Sequence, residues 1–411
     1  MSHKINTILF VILIVTVGLL NTFFHSNDSI SELENKELQL FPEITLAAVF
    51  EDNLANKLDA FISDQFILRT PMIEISHSIK SLAGFQSKVS VSVVKNDIIF
   101  SPLEGEMENK VFQVGDRDVN YLVFEDRAFA SFEENRVVEI EFAEAIKKIQ
   151  SSVEGVVFNV LLAPTQASFV DKKYADLTDD QVASLNRFEG LLGSNITYIN
   201  PYETLRTNYS DDLYFRTDHH WNGLGAYWSY VDYCLKKNLV PLELESMSYS
   251  EVPGFLGSVY KMTNDQNLAK YPDTIQAYTP DIQVTLDRYK MVEGALAVEK
   301  EALPYMISET FMIGGPSYKI FIGGDVALAV VKNLDDYSMP KILVVKDSYG
   351  NAVIPYLVGN YSEVYAVDPR HYEGNLTEFI KEKQIDEVLF INSANITRTS
   401  GFSQILIDAF E

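Results

Sequence analysis

Residues 156–162, Val-Val-Phe-Asn-Val-Leu-Leu, form a near-continuous apolar run of strand length, and short apolar runs return at 341–345, 364–367 and 387–391. A strand that is apolar on both sides of its pleat must be covered on both faces, whereas a strand with one wet face alternates. Around these runs lie segments with helical spacing: 133–150, with Val138, Ile140, Phe142, Ala145 and Ile149 on one side, then 180–192, 223–237 and 376–383. Shorter strands are predicted at 196–199 and 318–322. Helices alternating with buried strands specify an α/β chain with a doubly wound, mainly parallel sheet and flanking helices. Ligands bind such sheets beyond the carboxyl ends of the strands. Thr165, Asp347-Ser348, Asp368-Pro369-Arg370 and Asn392-Ser393 each follow a strand, and all four are expected on one edge.

Two regions break this rhythm. Residues 241–314 read as an irregular insertion of short strands and loops, within a main domain spanning 119–411. Residues 27–118 read as a lead-in: helices at 54–67 and 73–82, a hairpin through 89–94 and 98–100, and an acidic loop at 103–118. Before that, residues 8–24 are apolar and uncharged behind Lys4, with no small-residue cleavage site after Leu20. The first 26 residues are therefore expected to be a single-pass membrane anchor, with the positive end inside and the main domain extracytoplasmic.

Charge and cysteine content narrow the partners. With 58 acidic against 33 basic residues the formal net charge is −25, which argues against nucleic acid, because phosphate binding needs concentrated Lys and Arg. The lone cysteine, Cys234, excludes an intramolecular disulfide and a cysteine-based metal site. It lies in an apolar helical stretch, where a buried inert thiol is expected.

The chemistry concentrates in two runs. Thr217-Asp218-His219-His220-Trp221-Asn222 gathers an acid, two of six histidines and one of two tryptophans just before a predicted helix. Lys346-Asp347-Ser348-Tyr349-Gly350-Asn351 puts a serine at the end of a buried strand. A serine hydroxyl is a poor nucleophile at neutral pH and needs an imidazole to take its proton, held in turn by a carboxylate. Asp218, either histidine and Ser348 supply such a set. Backbone N–H groups at the start of the following helix, with Asn351, are candidate donors to an oxyanion. A metal site at Asp218, His219 and His220 is the rival, but His3, His25, His77 and His371 offer it only one credible further imidazole, so neither metal nor cofactor is expected.

These motifs resemble the DHHW family of bacterial cell-envelope proteins, which is similar in turn to the SGNH-hydrolase-like domain of the alginate O-acetyltransferase group. The likeness also takes in the N-terminal anchor, residues 34–42, Asp64-Gln65-Phe66 with Arg69, and Asp368-Pro369-Arg370. Ordinary SGNH esterases carry the serine block first and an Asp-x-x-His block last; here the order is reversed and the spacing is one residue shorter, as in the alginate group. The resemblance selects His220 as base, with Asp218 orienting it and Ser348 attacking an acyl donor. It implies an O-acetyltransferase working on an exported or cell-wall polysaccharide, with the acyl group delivered by a multispanning membrane partner. Tyr349, Asn351, His219, Trp221, Asn222 and Arg370 are then expected on the substrate or oxyanion side. The alternatives are an esterase removing acyl groups from the same glycans and a non-catalytic glycan-binding protein of envelope assembly.

Overall fold

In the computed structural model the described residues are 30–31, 36–37, 39–42, 54–66, 108–114, 117–124, 126–170, 174, 176–209 and 212–411. They fall into two units, Met1–Val89 and Ser90–Glu411. In the first, β1 (Ile30–Ser31) pairs antiparallel with β2 (Lys36–Glu37), and helix α1 (Leu54–Asp64) forms where the helical spacing predicts one. The ring of Phe61 on α1 meets Phe41 edge to face at 5.1 Å. The predicted anchor at 8–24, the helix at 73–82 and the hairpin at 89–100 lie outside the described residues. Among the described residues no helix is long and apolar enough to cross a membrane.

The second unit opens with β3 (Glu108–Val114), β4 (Arg117–Val123) and β5 (Ala128–Ala130), a small antiparallel sheet. Part of it occupies 103–118, which sequence analysis reads as loop. There follow α2 (Arg136–Ser152), β6 (Val157–Ala163), α3 (Gln181–Leu192), β7 (Ile196–Ile199), α4 (Tyr202–Thr207) and α5 (Gly223–Lys237). Each long helix starts on a side chain that satisfies a free N–H: Asn135 for α2, Asp180 for α3 and Asn222 for α5. Next come β8 (Ser248–Phe255), the short helix α6 (Ser258–Thr263), β9 (Asp273–Thr279), β10 (Val284–Val292), β11 (Ala295–Leu303) and β12 (Leu328–Asn333). The chain ends with β13 (Lys341–Lys346), a 3-10 turn (Ser348–Ala352), α7 (Ile354–Leu357), β14 (Glu363–Val367), α8 (Leu376–Lys383), β15 (Glu387–Ser393) and α9 (Phe402–Asp408).

Eight of these strands make one sheet in the order β11-β10-β12-β14-β13-β15-β6-β7. From β14 to β7 every pairing is parallel, and from β14 to β11 every pairing is antiparallel. The sheet is therefore mixed rather than mainly parallel, because β10 and β11 from the expected insertion add to it, as does β12. Residues 318–322, expected as a strand, contain a 3-10 turn (Tyr318–Ile320) instead. Helices cover both faces of the parallel part: Phe142, Leu185, Phe188, Phe379 and Leu406 pack on one side, and Tyr230, Tyr233, Tyr356 and Leu357 on the other. Burial on both faces is why β13 and β15 are apolar without alternation; each such Val, Leu or Ile contributes about 1.5–3 kcal/mol on leaving water. Parallel register carries Ala163, Lys346, Val367 and Ser393 to a common carboxyl edge.

Candidate active site

At that edge the serine turn is tied down by its own acid. Asp347 follows β13 and donates its N–H to Ile391 O at 3.2 Å, while its carboxylate accepts Tyr349 N (3.0 Å) and, through the other oxygen, Ser393 N (2.7 Å). One residue thus caps the turn that presents Ser348 and clamps it to the end of β15. Burial pushes the Asp347 carboxyl up, against the pull of these amides and of Arg370. A Cβ at Gly350 would come within 2.7 Å of Lys346 Cβ, so the turn closes only with glycine there. Lys346, almost wholly buried, pairs with Asp325 at 2.9 Å.

The acid and imidazole sit on a tight loop between the bridged residues Tyr214 and Trp221. Asp273 on β9 anchors it, accepting Arg216 N (2.8 Å), Thr217 N (2.8 Å) and Thr217 Oγ1 (2.5 Å). Asp218 Oδ1 accepts His220 N at 3.0 Å and meets His220 Nδ1 at 2.5 Å, and Oδ2 accepts Ser258 N at 2.7 Å. That last contact needs Gly257, whose Cβ would fall 2.3 Å from Asp218 Cβ. On the far side of the ring, His220 Nε2 lies 2.7 Å from Ser348 Oγ. Two cross-ties hold the loops together: Trp221 Nε1 donates to Tyr349 O at 3.0 Å, and Tyr349 OH donates to His219 O.

Electrostatics follow the geometry. Burial raises the Asp218 carboxyl, but the two imidazoles and the hydrogen bonds from His220 and Ser258 outweigh it and hold the group well below the usual carboxylate range. An ionised acid on Nδ1 fixes that nitrogen as the N–H and leaves Nε2 to accept a proton from Ser348. His219 lies against the His220 ring, centroids 3.8 Å apart, with its Nδ1 2.6 Å from Ser258 Oγ; partial burial and the His220 ring hold its imidazole below its ordinary value.

Sequence reasoning places Asp218, His220 and Ser348 together, and so does the structure. The expected substrate-side residues separate into two groups. Trp221 is fully buried behind the loop, Tyr349 is buried between Trp221 and His220, and Asn222 caps α5 through Leu224 N and Gly225 N, both at 3.0 Å. Asn351 gives its amide to Asp325 at 2.9 Å rather than to the space beside Ser348. His219 and Arg370 keep partly exposed side chains, 43% and 40%, at this edge, Arg370 being held by Asp368 (2.8 and 2.5 Å) and Asp325 (3.3 Å). The Tyr349 and Gly350 amides are taken by Asp347, which leaves the Ser348 N–H as the backbone donor without a partner in the turn. Ligand-type atoms of Asp218, His219 and His220 lie within 4.8 Å of one another, yet both ring nitrogens of His220 already face protein partners.

Four supporting residues escape sequence reasoning. Asp325 gathers Lys346, Asn351 and Arg370; Ser258 and Gly257 cradle Asp218; Tyr318 lies flat on the His220 ring. Only Gly323-Gly324-Asp325, a turn signal with an acid before the apolar β12, offered a hint.

Fold and site together define an α/β protein that carries a carboxylate, an imidazole and a serine hydroxyl in hydrogen-bonded series at the edge of its parallel strands. The chain belongs to the DHHW protein family, whose match spans residues 101–367. It is similar in fold to a DHHW family protein from Eubacterium siraeum, with 22% identity and a TM-score of 0.60 over 70% of this chain and 94% of that one. It is also similar to Bacillus cereus PatB1, with 20% identity and a TM-score of 0.56 over 68% of this chain and 97% of that one. The same protein with a sulfonyl adduct gives 20% identity and a TM-score of 0.54, over 68% and 96%. No curated protein matches the chain in sequence.

Proposed function

We propose that this protein is an extracytoplasmic serine-dependent acyltransferase of SGNH type that moves an acetyl group onto a hydroxyl of an exported or cell-wall polysaccharide. The observation that carries the reading is the unbroken series Asp218–His220–Ser348, with contacts of 2.5 and 2.7 Å. In the first half-reaction Ser348 Oγ bonds to the acyl carbonyl carbon while its proton passes to His220 Nε2. The imidazolium, stabilised by Asp218, then returns that proton to the departing group. In the second half a sugar hydroxyl gives its proton to the same nitrogen and attacks the acyl-serine, which releases Ser348 with its proton restored. The acceptor would reach His219 and Arg370, the partly exposed groups at this edge. An anchor at residues 8–24 would keep the domain at the outer membrane face, where a multispanning partner supplies the acyl group.

The sulfonyl adduct of Bacillus cereus PatB1 supports the test, because sulfonyl fluorides label activated nucleophiles. Incubation with a sulfonyl fluoride is expected to add one adduct, located on Ser348 by peptide mass spectrometry. Ser348→Ala is expected to lose both the adduct and turnover of an acetyl-ester reporter while its circular dichroism is unchanged. Full activity in that variant excludes the mechanism. Acetyl transfer to an oligosaccharide against release of free acetate separates transferase from esterase, and glycan binding without either identifies a non-catalytic role.

A further inference from the structure

The imidazole of His220 is enclosed by rings as well as by its hydrogen-bond partners. Tyr318 lies flat against it, with centroids 3.9 Å apart and planes 6° from parallel, while the His219 ring packs on it tilted by 36° at 3.8 Å and Tyr349 stands at 5.2 Å. Tyr318 is itself fixed by edge contacts to Phe215 at 6.2 Å and Phe321 at 5.2 Å, on the short turn that Ser317 caps. Its buried hydroxyl has no hydrogen-bond partner among the described residues. An orphaned hydroxyl in such a place is a cost. What the position uses is the face of the ring.

We propose that Tyr318 is a positioning residue that favours the protonated form of His220 and fixes the plane of its ring. The inference rests on the serine relay described above and names the group that supports its base. When His220 takes the Ser348 proton it becomes a cation, and a cation over an aromatic face is attracted by the ring quadrupole, the more so where water is excluded. The same stacking restrains the imidazole so that Nε2 stays on the line from Asp218 to Ser348. The other charged and titratable groups around the ring are Asp218 and His219 on its own loop and Asp347 and Tyr349 on the serine turn. Asp325, ahead of β12, and Arg370, beyond β14, lie further out. All of these survive a change at residue 318, so a variant there isolates the ring.

The test is a titration of the full chain labelled at histidine, following the His220 ring resonances by NMR, beside the pH dependence of kcat/KM on an acetyl-ester reporter. In Tyr318→Leu the His220 midpoint is expected to fall by about half to one and a half pH units, and the acid limb of kcat/KM to move down with it. Tyr318→Phe is expected to restore the wild-type midpoint. Should Tyr318→Leu fold poorly, a fluorinated phenylalanine at 318 keeps the shape while draining charge from the ring face, and the same fall is expected. An unchanged midpoint in the leucine or fluorinated variant overturns the proposal, as does a phenylalanine variant shifted as far as leucine. The titration needs no turnover, so its outcome is separate from that of the relay: a fully active Ser348→Ala sinks the mechanism whatever Tyr318 does.

Discussion

Glycine at position 257 shows how little room the acid of the relay has. The backbone of residues 257–258 passes so close to Asp218 that Ser258 N reaches Oδ2, and an added methyl would overlap the acid's own Cβ. Gly257→Ala is expected to push Asp218 off His220, lowering kcat on an ester reporter by a hundredfold or more and stability by about 1–3 kcal/mol. A urea titration beside the rate measurement reads both; a variant with wild-type kcat would mean that the acid's position is not critical. Asp218, Ser348 and a histidine beside Asp218 were legible in the sequence because proton relay demands particular functional groups and the Asp-His-His-Trp run has few structural excuses, while the choice of His220 over His219 came from the family resemblance. Their supports were not. Tyr318, Ser258 and Asp325 are ordinary residue types in ordinary surroundings, and their roles arise only from where the chain returns in space. Asn351 illustrates the converse: an amide beside the serine looks like a donor to the reaction, but the carboxylate of Asp325, 26 positions away, claims it first.

Among the elements, α5 links sequence pattern to site most directly. Asn222 closes its first turn by accepting Leu224 N and Gly225 N, so the helix starts two residues after Trp221 and three after His220. Asn222→Ala is expected to cost about 1 kcal/mol in urea unfolding, with Asn222→Ser recovering most of it. A loss below 0.3 kcal/mol, roughly the noise of such measurements, would show the cap to be dispensable. The strands β6, β13, β14 and β15 were legible because burial on both faces leaves little room for polar residues, Asn159 in β6 being accommodated by giving its amide to Glu387 and the Val388 carbonyl. The antiparallel strands were harder. β10 reads Val-Thr-Leu-Asp-Arg-Tyr-Lys-Met-Val, with Asp287 and Arg288 inside it, and its Arg288 is buried against Glu299 and the carbonyl of Ile322. Such a strand looks like irregular surface until its partners are known. The turn at Tyr318–Ile320 misleads in the other direction, since its apolar residues serve the core without extending the sheet.

Across the whole molecule two buried acids, Asp218 on the histidine loop and Asp273 that anchors it from β9, respond to pH with opposite signs. Asp218, held below its unfolded value, contributes stability that is present above about pH 4 and lost as the pH falls through its folded value. Asp273 is pushed up to about 6 by burial, so its contribution is present below about pH 4 and lost as the pH rises through 6. The stability gap between wild type and Asp218→Asn, measured as urea midpoints, is therefore expected to be widest at pH 6 and to shrink below pH 4. A gap that is constant from pH 6 to pH 3 would show that the carboxylate is not charged in the fold.

The place of β15 in the sheet bears on how such a chain is made. It is the last strand in sequence, yet it sits between β13, which carries the serine, and β6. Until β15 leaves the ribosome, β6 with β7 on one side and β13 with its neighbours on the other have no direct partner across the gap, and each shows a raw apolar border that invites sticking. The nascent protein must therefore stay loose and guarded for nearly the whole of its synthesis, and the reactive centre closes in one late event. A premature stop just ahead of this strand, which would take α9 with it, would leave Asp218, His220 and Ser348 in the chain but deprive Asp347 of its Ser393 partner and the sheet of the strand that joins its halves.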